Sequence, residues 1–304
     1  MEHDFHKWLR DHESVSQPVE NLLIGIGDDA AVIRGSEMHT VVTTDTIAEG
    51  THFDTSVHSL ELIGRKSLAV NLSDIAAMGA SPTHALVTLL LPNHFSITDA
   101  KRLCSGIFEI ASNYNVSIVG GDTNKWAGKL VVGVTLMGQR SPSTTGWNLN
   151  GAQLSDRVIV SGSFGGSILG RHLSFEPRID LSNYLAQRYQ IHGATDASDS
   201  LSLDLQLLAQ ASGVGIDLTA DNIPISDALK TADPQAQLDG ALFDGEDFEL
   251  ILTIAPDVYE QIKADPMIPC PLTDIGTVTE EQSGLRIFNS QGVFQTLSPR
   301  GYVH

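Results

Sequence analysis

Positive charge is scarce in this 304-residue chain. Eighteen lysines and arginines stand against thirty-seven aspartates and glutamates, a formal net charge of −19. A surface of that sign repels phosphate backbones and excludes nucleic-acid binding through a basic face. A phosphorylated ligand would need another neutralising agent, and a bound divalent cation is the obvious one. Cysteine is scarcer still. Cys104 and Cys270 lie far apart and outside any CxxC, so they read as small buried hydrophobes and not as a disulfide framework or a zinc site. Long hydrophobic runs are missing: the longest, such as residues 85–91 (ALVTLLL), fall far short of a membrane span. Residues 1–14 are charged and lack an apolar signal core, so the expectation is a soluble, cytoplasmic protein with no membrane partner. The familiar nucleotide loops are absent too, with no GxxxxGK[ST] and no GxGxxG after a strand.

What is present is a mixed pattern of strands and helices. Hydrophobic residues make up 41% of the chain, enough for a sizeable core. Runs rich in β-branched residues predict strands at 40–46, 85–91, 116–119, 129–137, 157–161 and 247–254. Leu68, Leu72 and Ile75 repeat at helical spacing, and Gly79 and Pro82 predict a stop behind them. Residues 99–114 and 201–211 predict two further amphipathic helices. This mixture argues α/β or α+β. The polar stretch 139–151 (QRSPSTTGWNLNG) has no periodicity, and it sets an expected boundary between an N-terminal domain, residues 1–140, and a C-terminal domain, residues 151–304. Residues 161–170 (SGSFGGSILG) follow a strand and read either as a tight packing turn or as an anion cradle of backbone N–H groups.

The aspartates carry the chemistry. Asp28 and Asp29 sit in GIGDDAAV, Asp45 ends TVVTTD, Asp74 closes NLSD, Asp122 follows VSIVGG, and Asp196 and Asp199 share DASD. Each borders an apolar run or a glycine turn. A carboxylate near a core is costly to desolvate and wants a cation or several donors. With threonine and serine hydroxyls alongside, such groups are the hard oxygen ligands that Mg²⁺ prefers. Taken singly, each also reads as a turn residue, an exposed side chain or a helix cap. Ser67, Asn71 and Asp74 form a polar stripe at i, i+4 and i+7 that faces either water or a metal cluster.

The motifs GIGDDAAV, TTDTIAEGTHF, GRKSLAVNLSDIAAMGASP, GGDTN, DASDSLSLDL and DGEDFEL occur in an order that resembles the thiamine-monophosphate kinases, over residues 21–302. That family shares its fold group with aminoimidazole ribonucleotide synthetase, selenophosphate synthetase and a hydrogenase maturation protein. The resemblance implies an α/β (α+β) chain of two domains, the first carrying the Mg²⁺/ATP aspartates, the second closing the substrate cleft. It also implies a homodimer in which N-terminal strands pair. The implied reaction is Mg²⁺-assisted, in-line transfer of the γ-phosphoryl of ATP to thiamine monophosphate, with several Mg²⁺ ions. Carried over position by position, Asp29, Thr43, Thr44, Asp45, Asp74, Asp122, Asp196 and Asp199 correspond to metal ligands, with Asp45 and Asp122 central to catalysis. Gly121, Asp122 and Ser198 correspond to ATP contacts; His52, Glu246 and Tyr302 correspond to contacts with the thiamine phosphate.

The chain departs from that pattern at named places. Ser200 in DASDSL and Asp244 in DGED replace glycines, and the arginine that typically precedes SGA has no counterpart in residues 148–152. Arg171 and Arg178, in RHLSFEPR, are candidates for the missing cation. Two other readings are a catalytically silent ATP- or thiamine-phosphate-binding paralogue and a sister ATP-using enzyme of the same fold. Selenophosphate synthetase calls for a reactive cysteine near the N-terminus and the hydrogenase maturation protein for one at the C-terminus, whereas this sequence has none before Cys104 and closes on RGYVH; the aminoimidazole ribonucleotide enzyme has a different motif where TTDTIAEGTHF stands.

Overall fold

The computed structural model describes residues 21–25, 27–289, 291–298, 300 and 301. The first half forms strands β1 (Leu22–Ile24), β2 (Ala31–Ile33), β3 (His39–Ala48), β4 (Ser81–Pro92), β5 (Ser117–Trp126) and β6 (Val131–Arg140), with helices α1 (Leu60–Ala77) and α2 (Ile97–Asn113). The strands make one sheet in the order β1-β2-β3-β6-β4-β5. β6 runs antiparallel to both β3 and β4. β4 and β5 are parallel, which requires a crossover, and α2 supplies it. A full capping box at Ser96 and Asp99 starts that helix.

The second half forms β7 (Arg157–Ser161), β8 (Gly193–Asp196), β9 (Val214–Thr219), β10 (Leu250–Ile254), β11 (Leu272–Glu280), β12 (Leu285–Phe288) and β13 (Phe294–Thr296). Their order is β13-β12-β9-β11-β7-β10-β8. Helices α3 (Arg171–Ser174), α4 (Ile179–Ala186), α5 (Leu201–Ser212), α6 (Pro234–Phe243) and α7 (Pro256–Lys263) accompany them. Every residue of β10 is buried, so this strand is covered on both faces. The strand expected over 247–254 begins only at Leu250. Phe248 sits at φ +52°, a left-handed conformation that cannot continue a strand.

α1 joins the halves. Fourteen of its eighteen residues are buried, the signature of a helix that is covered all round. It packs on β3 and β6 of the first sheet and also on β8, β10, α3 and α4 of the second half. One apolar cluster therefore runs from Val32 and Val41 through Leu68 and Leu72 to Leu250 and Leu252. The helix stops where the sequence predicts. Gly79 takes φ +63°, and a Cβ there would meet the Trp147 ring at 2.8 Å. The polar stretch between the sheets is thus not a bare spacer, because Trp147 is fully buried. The segment 161–170 is a turn with a short 3₁₀ piece, Ser167–Leu169. Its Gly165 and Gly166 N–H groups donate to the carboxylates of Asp247 and Asp244, so the anions it cradles are the protein's own. Among the described residues, no helix is long and apolar enough to cross a membrane.

Candidate active site

Three carboxylates from distant segments converge where α1 meets the second sheet. Asp29 lies just before β2, Asp74 on the last turn of α1, and Asp196 at the end of β8; one oxygen of each lies within 4.8 Å of the others. Each carboxylate accepts from a hydroxyl of a neighbouring segment. Thr43 Oγ1 donates to Asp74 at 2.5 Å, Thr195 Oγ1 to Asp29 at 3.1 Å, and Ser73 Oγ to Asp196. The second oxygen of Asp29 is buried without a hydrogen-bond partner. Among the described residues, no lysine or arginine forms an ion pair with any of the three.

The electrostatics follow from that geometry. Loss of solvent pushes the Asp29 and Asp74 carboxyls well above the ordinary range, and neighbouring carboxylates push further: Asp196 and Asp28 for the first, Asp45, Asp196 and Asp29 for the second. Burial, then Asp45 and Asp199, raise Asp196 to about 7, against the lowering effect of the Ser73 hydroxyl. Asp204, buried below, is raised well above the ordinary range by burial and by Asp199 and Asp196; it accepts from the Asp199 and Ser200 N–H groups at 3.2 and 3.0 Å. The arrangement is a nest of oxygen donors with raised carboxyls. It suits a hard divalent cation.

The other expected residues sort by the pleat of the first sheet. Asp45 alternates with Thr43 on the α1 side, and its N–H donates to Asn71 Oδ1 at 3.1 Å. Ser67, Asn71 and Asp74 thus face inward, with Ser67 and Asn71 buried, and the stripe does not face water. Thr44 points to the opposite face, where its hydroxyl meets Thr135 Oγ1 at 3.0 Å. Asp122 also lies on that opposite face. It stands across from Thr88, in the cross-strand row of Thr46, Gly133, Thr88 and Asp122. Three strand spacings, about 14 Å, separate it from Thr46. Asp122 is exposed and accepts from Asn124 Nδ2 at 2.7 Å, so the fold of this chain does not bring it to the triad. Gly121 beside it must be glycine, since its φ is +155° and a Cβ would strike the Val87 carbonyl oxygen.

Ser198 leans toward Asp196, and its carbonyl accepts from the Glu246 N–H at 2.7 Å. Asp199 lies close enough to Asp196 and Asp204 to raise both. Glu246 is buried beneath this turn, with its Oε1 2.7 Å from Lys66 Nζ. His52 sits in the turn after β3, its Nδ1 accepting from the Ala48 N–H at 3.1 Å. Tyr302 lies outside the described residues. Arg171 and Arg178 are committed elsewhere. Arg178 forks onto Glu249 with two bonds of 2.6 Å, and Arg171 bonds Asp247 and Glu249. Neither replaces the absent arginine.

Sequence reasoning missed Lys66, His172 and Asp204. The signal for Lys66 was present: it follows Arg65 and stands directly before the uncharged run from Ser67 to Leu72 on the same helix.

Residues 27–139 match the family described as AIR synthase related protein, N-terminal domain, and residues 133–287 match AIR synthase related protein, C-terminal domain. The chain is similar to the thiamine-monophosphate kinase of Rhodopirellula baltica, at 39% identity over 100% of this chain and 97% of that one. It is 33% identical to the thiamine-monophosphate kinase of Bacillus subtilis, over 92% and 93% of the two chains. Among solved structures, AaThiL complexed with AMPPCP and TMP aligns with a TM-score of 0.82 at 29% identity, over 99% of this chain and 96% of that one. The Escherichia coli hydrogenase maturation protein HypE shares the fold, with a TM-score of 0.71 at 22% identity.

Proposed function

The chain belongs to the AIR synthase related family and to its thiamine-monophosphate kinases, and from that premise we infer that it is a kinase that moves the γ-phosphoryl of ATP onto thiamine monophosphate. The products are thiamine diphosphate and ADP. The observation that carries the reading is the Asp29–Asp74–Asp196 triad, whose oxygens converge within 4.8 Å and, among the described residues, form no ion pair with a lysine or arginine.

Phosphoryl transfer asks a protein mainly for positioning and charge neutralisation. The acceptor is itself a phosphate, already ionised near neutral pH, so a general base contributes little. An acidic chain cannot hold a triphosphate and a second phosphate by its own charge. The triad fits Mg²⁺ on this structure's own terms: hard oxygen donors, an orphaned buried carboxylate oxygen, and carboxyls raised by burial and then by mutual repulsion. Mg²⁺ bound there would neutralise phosphate charge shared by donor and acceptor. The chain's own part is orientation. Thr43, Ser73 and Thr195 each fix one carboxylate, and Asn71 fixes the backbone of Asp45. Asp204 holds the Asp199–Ser200 turn from beneath through two backbone N–H groups.

The assignment places Asp29, Thr43, Asp45, Asp74, Asp196 and Asp199 around several Mg²⁺ ions, with Thr44 and Asp122 joining from the outer face. Gly121, Asp122 and Ser198 serve ATP; His52, Glu246 and Tyr302 serve the thiamine phosphate. The reading includes the division at 1–140 and 151–304, a homodimer and a cytoplasmic setting. The homodimer is supported by the outer face of the first sheet, where Leu86 and Trp126 are exposed, and by the position of β5 at the sheet edge among the described strands. A partner on that face would also cover Asp122.

The test is chromatographic separation of thiamine species after incubation with ATP and Mg²⁺. Thiamine monophosphate is expected to give thiamine diphosphate with equal ADP, EDTA to stop it, and free thiamine to remain unphosphorylated. No diphosphate from the monophosphate at saturating ATP and Mg²⁺ would overturn the kinase and leave the silent paralogue.

A further inference from the structure

Lys66 lies in the middle of α1 and is fully buried. An ammonium has three donors, and all three are spent. Nζ stands 2.7 Å from Glu246 Oε1, 2.9 Å from the His52 carbonyl oxygen and 2.9 Å from His172 Nδ1. A buried cation is tolerated only when paired and bonded in this way. Its partners come from three segments: the turn after β3, helix α3, and the DGED loop that precedes β10. One side chain therefore ties the first half of the molecule to the second at two points.

Both ends of that tie belong to residues assigned above to the acceptor. Glu246 is held through its backbone and its Oε1. Its N–H donates to the Ser198 carbonyl at 2.7 Å, its carbonyl accepts from Ser167 Oγ at 2.6 Å, and its Oε2 lies 3.1 Å from His172 Nδ1. Its backbone has φ +54°, a conformation that non-glycine residues keep only when their surroundings impose it. The His52 peptide faces Lys66 while the His52 ring turns back onto its own turn. Moving Lys66 would release the carboxylate and the turn together.

We propose that Lys66 is a positioning residue for the phosphoryl acceptor, fixing the Glu246 carboxylate and the His52 turn at one mutual distance across the two halves. The proposal rests on the reading that Glu246 and His52 face thiamine monophosphate. Arginine would not replace it, because a planar fork cannot meet three acceptors arranged around one ammonium.

Steady-state kinetics on K66M, K66R, E246Q and K66M/E246Q test it. K66M and K66R are each expected to raise the KM for thiamine monophosphate roughly tenfold while the KM for ATP stays within about twofold. A lysine that only holds the fold would lower the active fraction and leave both KM values unchanged. K66R keeps a cation in the site, so it serves as the readout if K66M fails to fold. The double variant is expected to be no worse than the poorer single variant, because the two residues act as one unit. A wild-type KM for thiamine monophosphate in K66R, or effects that multiply in the double variant, overturns the proposal. If E246Q alone keeps the wild-type KM while K66R raises it, the Glu246 assignment falls and Lys66 acts through the His52 turn.

Discussion

Two buried acidic regions lie on the same helix and solve the same problem in opposite ways. Asp74 and Lys66 are eight residues apart on α1, about 12 Å along its axis. Around Lys66, each buried acid has a protein cation: Glu246 has Lys66, and Glu249 has the Arg178 fork. The pairing is felt at Glu246. Its carboxyl lies below the ordinary range although burial, its largest influence, pushes the other way; the His172 bond and the Lys66 charge outweigh it. Among the described residues, Asp29, Asp74 and Asp196 form no ion pair with a lysine or arginine, and all three are pushed up. Paired buried charge is architecture. Clustered carboxyls pushed up together are the mark of a functional site. Asp247 stands between these cases, since burial outweighs Arg171 and raises it to about 7.

The sharpest way to break the comparison is to neutralise one acid in each region. D74N should cut turnover by about three orders of magnitude, the scale of several kcal/mol of lost charge stabilisation. Its metal-free thermal midpoint should hold or rise, because like-charge repulsion is relieved. E249Q should do the reverse. It leaves the half-buried Arg178 guanidinium underpaired, at about 3 kcal/mol of stability in denaturant titrations, while the folded enzyme keeps a near-normal KM for ATP. If both variants lose stability equally and both keep activity, the distinction between the regions fails.

A second, smaller effect is in pH. Asp196 titrates near 3.8 when unfolded and near 7 when folded. Between those values the folded state holds the extra proton, so stability is greatest below the unfolded value and is lost as pH rises through the folded one. Without metal, the midpoint should therefore fall from about pH 4 to pH 7, and Mg²⁺ should recover most of the loss at pH 7.5. Asp247 adds a fall of the same sign, so D196N should flatten the profile only in part. A metal-free midpoint that rises steadily across this range would count against uncompensated charge in the triad.

The smallest effect concerns Ser200, which replaces a glycine of the family motif. Its backbone is extended, at φ 175°, and so unstrained. Its hydroxyl accepts from the Leu203 N–H at 3.1 Å, capping α5, and donates to the Arg300 carbonyl at 2.9 Å. Restoring glycine should cost only a few tenths of a kcal/mol in thermal unfolding and leave the KM for ATP unaltered. A tighter KM for ATP in S200G would mean that the serine disturbs the nucleotide side after all. Asp244 is equally harmless to the turn: it has an ordinary right-handed φ of −69° and accepts from the Gly166 N–H.

Much of this was written locally. The strand runs at 40–46, 85–91, 129–137 and 157–161, the stop at Gly79 and the start of α5 at Leu201 all follow from side-chain period and capping chemistry, which act over a few residues. The ordered aspartate motifs identified the family. What the chain could not display is who faces whom. Whether Thr44 or Asp45 looks inward depends on the pleat and on which face α1 covers, and a one-residue change of register would exchange them. The same pleat sends Asp122 outward, although its motif reads no differently from Asp74's. Asp29, Asp74 and Asp196 are neighbours only because β8 and α1 meet across the two sheets, and Lys66 finds Glu246 across 180 residues. Sequence by itself determined which groups carry charge and how each segment bends. Only the tertiary structure decided which charges were paired, because that balance is struck between segments far apart in the chain and depends on burial that no local pattern encodes.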